Sequence, residues 1–430
     1  MKNRQEQRVA QAREAAVSGL WRNHRLGHSK EINLPYNFTC PSPGSYPFQW
    51  AWDSSYHAIS LLQVDTQRAR AEISSLLSAA TPSGFLPHMV LWQDELRPRA
   101  TAEFRIDLWQ GWRVVTIAPP VIAKAIERVF EATGDSEWLA EVLPPTIAFF
   151  GWLAENRTSE ATGLLEIYQP DESGLDISPK YDRALGIHES GTGQIAADWH
   201  QAMRNLIETY SPGRTPESRL AEHRAFVWND VLVNTIYAHG LLALSRLALT
   251  AGLPQETASG FVARSQEITD ALIRHCWDDE AGAFFDLDLV SGQRVEVLTA
   301  SSLFPIILDS IPTYHAERLI EEHLLNEAEF WLPVPVPSVA ATEPSFDPDF
   351  STKAIFRGSS WLNLNWYLYW GLRARGYADA ATTLAERTID CVAEAGMREC
   401  YGPYRSVGYG AESFGWSSLV LDLINAEKFQ

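Results

Sequence analysis

Apolar residues return at helical spacing along almost the whole of this 430-residue chain, and that recurrence narrows the fold more than any other feature. Over 5–26, Val9, Ala12, Ala16 and Leu20 fall on one helical face. The same period predicts helices over 53–63, 67–79, 119–133, 137–155, 196–210, 225–250, 257–276, 300–310, 314–325, 360–375, 377–395 and 413–426. Strand-like runs are short, chiefly AFFDLDLVSG at 283–292, which reads as a hairpin between helices. Gly/Pro/Asp-rich loops separate the segments, and no Ser/Gly-rich linker or break in composition divides them, so a single domain over 1–430 is expected. An antiparallel series of this length can close into two concentric rings of helices, an all-α (α/α)-barrel with loops lining its mouth. The loops carry the Trp, Asp and Glu clusters while the helix interiors are Leu, Ala and Val, a division between scaffold and site. A stacked solenoid would need a fixed-period repeat, and none is present.

Charge excludes several partners. The formal net charge is −19, with no local Lys/Arg cluster to offset it, so a phosphate backbone or an anionic membrane surface would be repelled. The N-terminus is polar and lacks the apolar core of a signal peptide, and no uncharged apolar run reaches about 20 residues, the length of a span. A cytoplasmic protein without nucleic-acid or membrane partners is expected. Cys40, Cys276, Cys391 and Cys400 show no CxxC spacing and read as buried free thiols. Sixteen Trp are unusual: flat apolar faces with an N–H handle suit the C–H faces of sugars, and equally suit a Trp-rich core. No exposed apolar patch is marked, which leaves a homo-oligomer open.

Three constellations carry chemistry. In the first, Tyr46 precedes Trp50, Trp52 and Asp53 just before a helix, where Asp53 is either an N-cap or an acceptor for sugar hydroxyls between two stacking faces. Downstream, GFLPH puts His88 on another loop. In the second, Asp171, Glu172 and Asp176 crowd into YQPDESGLDISP. Crowding and burial would raise at least one pKa, as a general acid at neutral pH requires. The calcium-loop spacing is absent, and a solvated acidic loop is the plain alternative. In the third, Glu399 precedes a glycine-rich, aromatic loop containing Trp416. Two carboxylates facing each other across a Trp-lined pocket are the equipment for glycosidic cleavage, about 6.5–9.5 Å apart in the inverting version.

YPFQWAWDSSYHA, GFLPHM, DESGLDISP, FRGSSWLNLNW and RECYGPY…GYGAESFGWSS occur in an order that resembles glycoside hydrolase family 63. The likeness is to its short bacterial members, the mannosylglycerate and glucosylglycerate hydrolases, which are related to the family 37 trehalases. It runs from about residue 20 to residue 426, and the five motifs are specific jointly. The resemblance implies an (α/α)6 toroid with inserted loops at the active-site mouth. It implies an inverting mechanism without metal or cofactor on a small saccharide or glycoside, with Asp176 as general acid and Glu399 as general base. It also implies that Trp50, Trp52 and Asp53 grip the nonreducing sugar, that Tyr46 reaches the aglycone, and that Glu172, Arg357, Trp361 and Trp416 belong to the pocket, to which His88 on its own loop is a further candidate.

Two departures bear on substrate. The Gln that such relatives carry before Pro-Pro is replaced in Thr116-Ile-Ala118-Pro119-Pro120. Asp171 stands where a Trp is usual before the Glu, and its charge would oppose a glycerate carboxylate. The reading is an α-glycosidase for a small α-glucoside of disaccharide, glucosylglycerol or glucosylglycerate type, with a mannosylglycerate or α-mannoside hydrolase as the alternative. A sugar epimerase would need paired histidines, and His57, His88, His188, His200 and His239 form no matching motifs. An inactive carbohydrate-binding scaffold would not need both carboxylates.

Overall fold

The computed structural model describes residues 2–104, 108–187, 194–210, 214–218 and 225–428; His188 lies outside them. More than half of the chain is helical. The helices are α1 (Lys2–Arg22), α2 (Ala51–Leu61), α3 (Thr66–Leu77), α4 (Arg97–Phe104), α5 (Ile122–Thr133), α6 (Ser136–Arg157), α7 (Asp182–Leu185), α8 (Ile195–Tyr210), α9 (Val231–Thr250), α10 (Gln255–Cys276), α11 (Thr313–Arg318), α12 (Leu362–Ala374), α13 (Ala378–Ala395) and α14 (Val420–Ala426). Their starts follow local chemistry. The Asp65, Asp135 and Asp230 carboxylates accept from backbone N–H groups in the first turns of α3, α6 and α9, and Gly134 closes α5 in the left-handed conformation.

Burial separates two kinds of helix. Every residue of α2 is buried, as are 15 of 20 in α9 and ten of 13 in α12. By contrast α3, α10 and α13 each bury one face, the pattern of an amphipathic helix against a core. These largely buried helices pack against one-faced neighbours: α2 on α3, α9 on α10, and α12 on α13. The buried elements also touch one another in sequence. α2 contacts α5, α5 contacts α9, and α9 contacts the 3-10 segment Ala300–Ile307, which contacts α12. α12 meets the 3-10 turn Gly415–Leu419, and that turn packs back on α2. α9 is apolar and long enough to cross a membrane, but most of it is enclosed by its neighbours. All four cysteines are buried free thiols.

Departures from the sequence reading have local causes. α1 stops at Arg22 because Asn23 turns the chain, its amide donating to the carbonyls of Pro41 and Ser413, and His24–Ser29 then pairs antiparallel with Leu34–Thr39. Within the 300–310 stretch the helix is 3-10 and only Ala300–Ile307 long, and it contains Pro305, which supplies no N–H to the ladder. The hairpin expected over 283–292 is divided between two small sheets: Ala283–Phe284 pairs with Trp277–Asp278, and Leu287–Asp288 with both Gln293–Arg294 and Trp228–Asn229.

Candidate active site

Two buried helices point their N-terminal ends at one cavity of about 390 Å³, a volume suited to a small ligand. Trp50 precedes the first residue of α2 and Trp361 the first of α12, and both line the cavity. Trp52 and Asp53 follow within the first turn of α2. Asp53 therefore does not cap the helix. It is 4% exposed, and its Oδ1 has no hydrogen-bond partner among the described residues. Burial pushes its carboxyl well above the usual range.

Aromatic rings build the wall. Trp416 lies edge-on to Trp52 at 5.8 Å and to Trp361 at 5.5 Å, while Phe356 stacks on Trp361 at 3.8 Å. Tyr46 meets Trp50 and Phe414 edge-on, and Trp50 meets His88. The His88 ring shares a hydrogen bond with the Thr116 hydroxyl, and burial pushes its pKa down to about 4, so it is neutral at pH 7.

Asp176 enters on the loop after the 3-10 turn Pro170–Ser173. Gly174 allows this loop to lie against the site: its φ is +71°, and a Cβ there would come within 2.5 Å of the Trp52 ring. The Trp199 indole N–H donates to the Asp176 carbonyl at 3.0 Å and pins the loop from the other side. Burial raises the Asp176 carboxyl well above the usual carboxylate range, and the negative charges of Asp171, Glu399 and Asp53 add to the effect. These causes favour the protonated form, the form a general acid must supply.

Glu399 lies on the strand Arg398–Tyr401, which pairs antiparallel with Gly408–Glu412 across a bulge. Its Oε2 accepts from the Ala411 N–H at 2.7 Å and its Oε1 from the Tyr46 hydroxyl at 3.3 Å. The Trp416 indole N–H donates to the Glu399 carbonyl. Burial raises this carboxyl too, but the Ala411 and Tyr46 donors favour the charged form and oppose the rise. Gly410 makes the arrangement fit, since at φ +65° a Cβ there would collide with Glu399 Oε2.

Asp176, Glu399, Tyr46, Trp50, Trp52, Asp53, His88, Trp361 and Trp416 thus line one cavity. Glu172 and Arg357, also assigned to the pocket from the sequence, do not. The Glu172 oxygens are saturated by two N–H groups of Arg157 and the backbone N–H groups of Ile117 and Tyr168. Burial works against its charge, but the Arg157 guanidinium overrides this and holds the carboxyl below its usual value. Glu172 thereby joins the segment before Pro-Pro to the loop that carries Asp176. Arg357 pairs with Asp182, one N–H···O contact measuring 2.9 Å. Ala118 is buried off the cavity, and Thr116, two residues earlier, faces it instead.

The sequence did not single out Trp199, Gln169, Phe104 or Lys353, which also line the cavity. Trp199 sits in an ordinary helical pattern and Phe104 in a segment with no predicted element, so nothing local distinguished them. Asp171 lines it as well; its place among three carboxylates was the available signal.

Known proteins resemble this chain along most of its length. The family described as "Mannosylglycerate hydrolase MGH1-like glycoside hydrolase domain" matches residues 46–417, which take in every cavity side chain named above. A mannosylglycerate hydrolase of Rubrobacter radiotolerans is 27% identical over 92% of this chain and 94% of its own. A glucosylglycerate hydrolase of Mycolicibacterium hassiacum is 24% identical over 89% of this chain and 93% of its own. The crystal structure of a family 63 mannosylglycerate hydrolase from Thermus thermophilus, in complex with Tris and D-glycerate, superimposes with a TM-score of 0.79 at 27% identity. The match covers 96% of this chain and 100% of that one.

Proposed function

The chain belongs to the mannosylglycerate hydrolase MGH1-like glycoside hydrolases of family 63, and from that premise we propose that it is an inverting α-glycosidase with Asp176 as general acid and Glu399 as general base. One observation carries the reading: two carboxylates line the same aromatic cavity, both raised by burial but with different neighbours. Burial and then the like charges around Asp176 favour its protonated form, whereas Glu399 accepts two hydrogen bonds that favour its charge. Environments that push two carboxylates apart are what acid–base division of labour requires.

In the proposed reaction the Asp176 proton passes to the glycosidic oxygen as the C1–O bond breaks. Glu399 takes a proton from a water that attacks C1 on the opposite face, inverting the anomeric centre. The Tyr46 hydroxyl and the Ala411 N–H hold the Glu399 carboxylate in place. Trp52, Trp361 and Trp416 stack on the glycosyl ring and keep bulk water away, while Asp53 accepts from its hydroxyls. The closed series of contacts from α2 through α5, α9, Ala300–Ile307, α12 and Gly415–Leu419 back to α2, with an outer helix beside each of α2, α9 and α12, supports an (α/α)6 toroid over one catalytic domain.

The substrate is a small α-glucoside of disaccharide, glucosylglycerol or glucosylglycerate type. The relatives named mannosylglycerate hydrolases favour a second reading, an α-mannoside. A release assay across α-glucosides and α-mannosides decides between them. Asp176→Ala and Glu399→Ala are each expected to lose at least about 100-fold in kcat while staying folded. Near wild-type turnover by either removes its assignment, and a retained anomer in the NMR spectrum of the first product removes the inverting mechanism.

A further inference from the structure

Resting on the glycosidase reading, we propose that Asp171 is the side chain that recognises the leaving group, and that it selects an uncharged, polyhydroxylated aglycone over one bearing a carboxylate. The group joined to the glycosidic oxygen must lie beside the acid, because the acid delivers its proton to that oxygen. Among the charged neighbours of Asp176, Asp171 weighs most, ahead of Glu399 and Asp53. Asp171 lines the same cavity five residues before Asp176, in the 3-10 turn Pro170–Ser173, on a different segment from Asp53 and the tryptophans at the start of α2 that would hold the sugar.

The orientation of Asp171 is set by a relay. An Arg214 N–H donates to Gln169 Oε1 at 3.1 Å, and a guanidinium can only donate, so the Gln169 amide must turn its NH2 the other way. That NH2 donates to Asp171 Oδ2 at 3.3 Å. Asp171 Oδ1 is left buried and without a partner among the described residues, an open acceptor in the cavity lining. A buried acceptor with no donor is costly, and a substrate hydroxyl would satisfy it.

Charge sharpens the selection. Asp53, Asp171, Asp176 and Glu399 line the cavity, with Glu103 exposed and paired with Arg99, and the single Lys or Arg among its described lining residues is Lys353. Lys353 is exposed, with its ammonium 5.4 Å from the Phe350 ring, where solvent screens it. Burial and Glu172 push the Asp171 carboxyl up to about 7 against the opposing pull of Arg214 and Gln169. A carboxylate on the aglycone would add another negative charge.

The test compares matched substrates that differ only in that carboxylate, glucosylglycerol against glucosylglycerate, with the corresponding mannosyl pair and short α-disaccharides alongside. The quantity read is the ratio of kcat/KM within each pair, because any effect of a substitution on the acid itself cancels in it. The wild-type enzyme is expected to favour the uncharged member by tenfold or more. Asp171→Asn should shrink that preference at least tenfold, chiefly by lowering KM for the anionic member, and Asp171→Ser should move it the same way. A wild-type preference for the anionic member overturns the proposal, as does a ratio unmoved in both Asp171 variants. So does a ratio that moves in Lys353→Met instead. If no α-glycoside in the set is hydrolysed, the glycosidase reading itself falls and this inference falls with it.

Discussion

At the scale of single residues, the proposed chemistry rests on two carboxyls shifted by identifiable causes. Asp176 is raised by burial and then by Asp171, Glu399 and Asp53; Glu399 is raised by burial against the pull of Ala411 and Tyr46. The acid works only while protonated, so activity falls as pH rises through the Asp176 pKa. The base works only while charged, so activity falls as pH drops through that of Glu399. Asp171→Asn removes the like charge that weighs most on Asp176, and the alkaline limb of the kcat/KM profile should therefore move to lower pH. A limb that stays in place or moves upward would refute this account of the acid. Gly410→Ala should be severe for a substitution of one methyl group. It strains a positive-φ turn by about 1–3 kcal/mol and drives Cβ into Glu399 Oε2, so kcat is expected to fall more than tenfold with a measurable drop in melting temperature. Motif order in the sequence pointed to Asp176 and Glu399. What it missed is how each is held, because Trp199, Tyr46 and Ala411 reach them across 23, 353 and 12 positions.

At the scale of elements, the helices were legible because their signal is local. Apolar spacing over 10–20 residues located α2, α3, α10, α12 and α13 to within a few positions. The strand pair Arg398–Tyr401 and Gly408–Glu412, which carries Glu399, was not legible. Its strands span four and five residues, glycines interrupt the second, and a bulge between Arg398 and Cys400 breaks the alternation. The loop carrying Asp176 is tied to α9 by a buried cluster that sequence alone could not join. Lys180 Nζ sits 2.7 Å from both Asp230 Oδ2 and Asp286 Oδ2. The Tyr181 hydroxyl donates to Asp230 as well, and Asp230 Oδ1 caps α9. Lys180→Met leaves two buried carboxylates without their cation, a loss of about 3–5 kcal/mol by denaturant unfolding. If stability changes by less than about 1 kcal/mol, the cluster is not what anchors this loop.

At the scale of the whole molecule, the last elements complete what α2 begins. Gly415–Leu419 packs on α2 and supplies Trp416 to the cavity, and α14 buries Val420, Leu421, Leu423 and Ile424. Asp422 of α14 accepts from the Trp366 indole N–H at 2.8 Å and from Arg128 at 2.6 Å, bridging α12 and α5. A chain ending at 419 should therefore show no cooperative thermal transition by circular dichroism, while one ending at 428 should melt like the full chain. A cooperative melt from the shorter chain would mean that the packing closes without α14. The sequence by itself established a helical protein, a Trp-rich acidic site and the two carboxylates to test, because periodicity and motif order are properties of neighbouring residues. It could not say that the Glu172 carboxylate is saturated by internal donors, that Arg357 pairs with Asp182, that Ala118 is buried off the cavity, or that one Asp171 oxygen stays open. Those facts depend on which distant segments share a buried space, and in such a space partners and desolvation, rather than residue type, decide what a charge does.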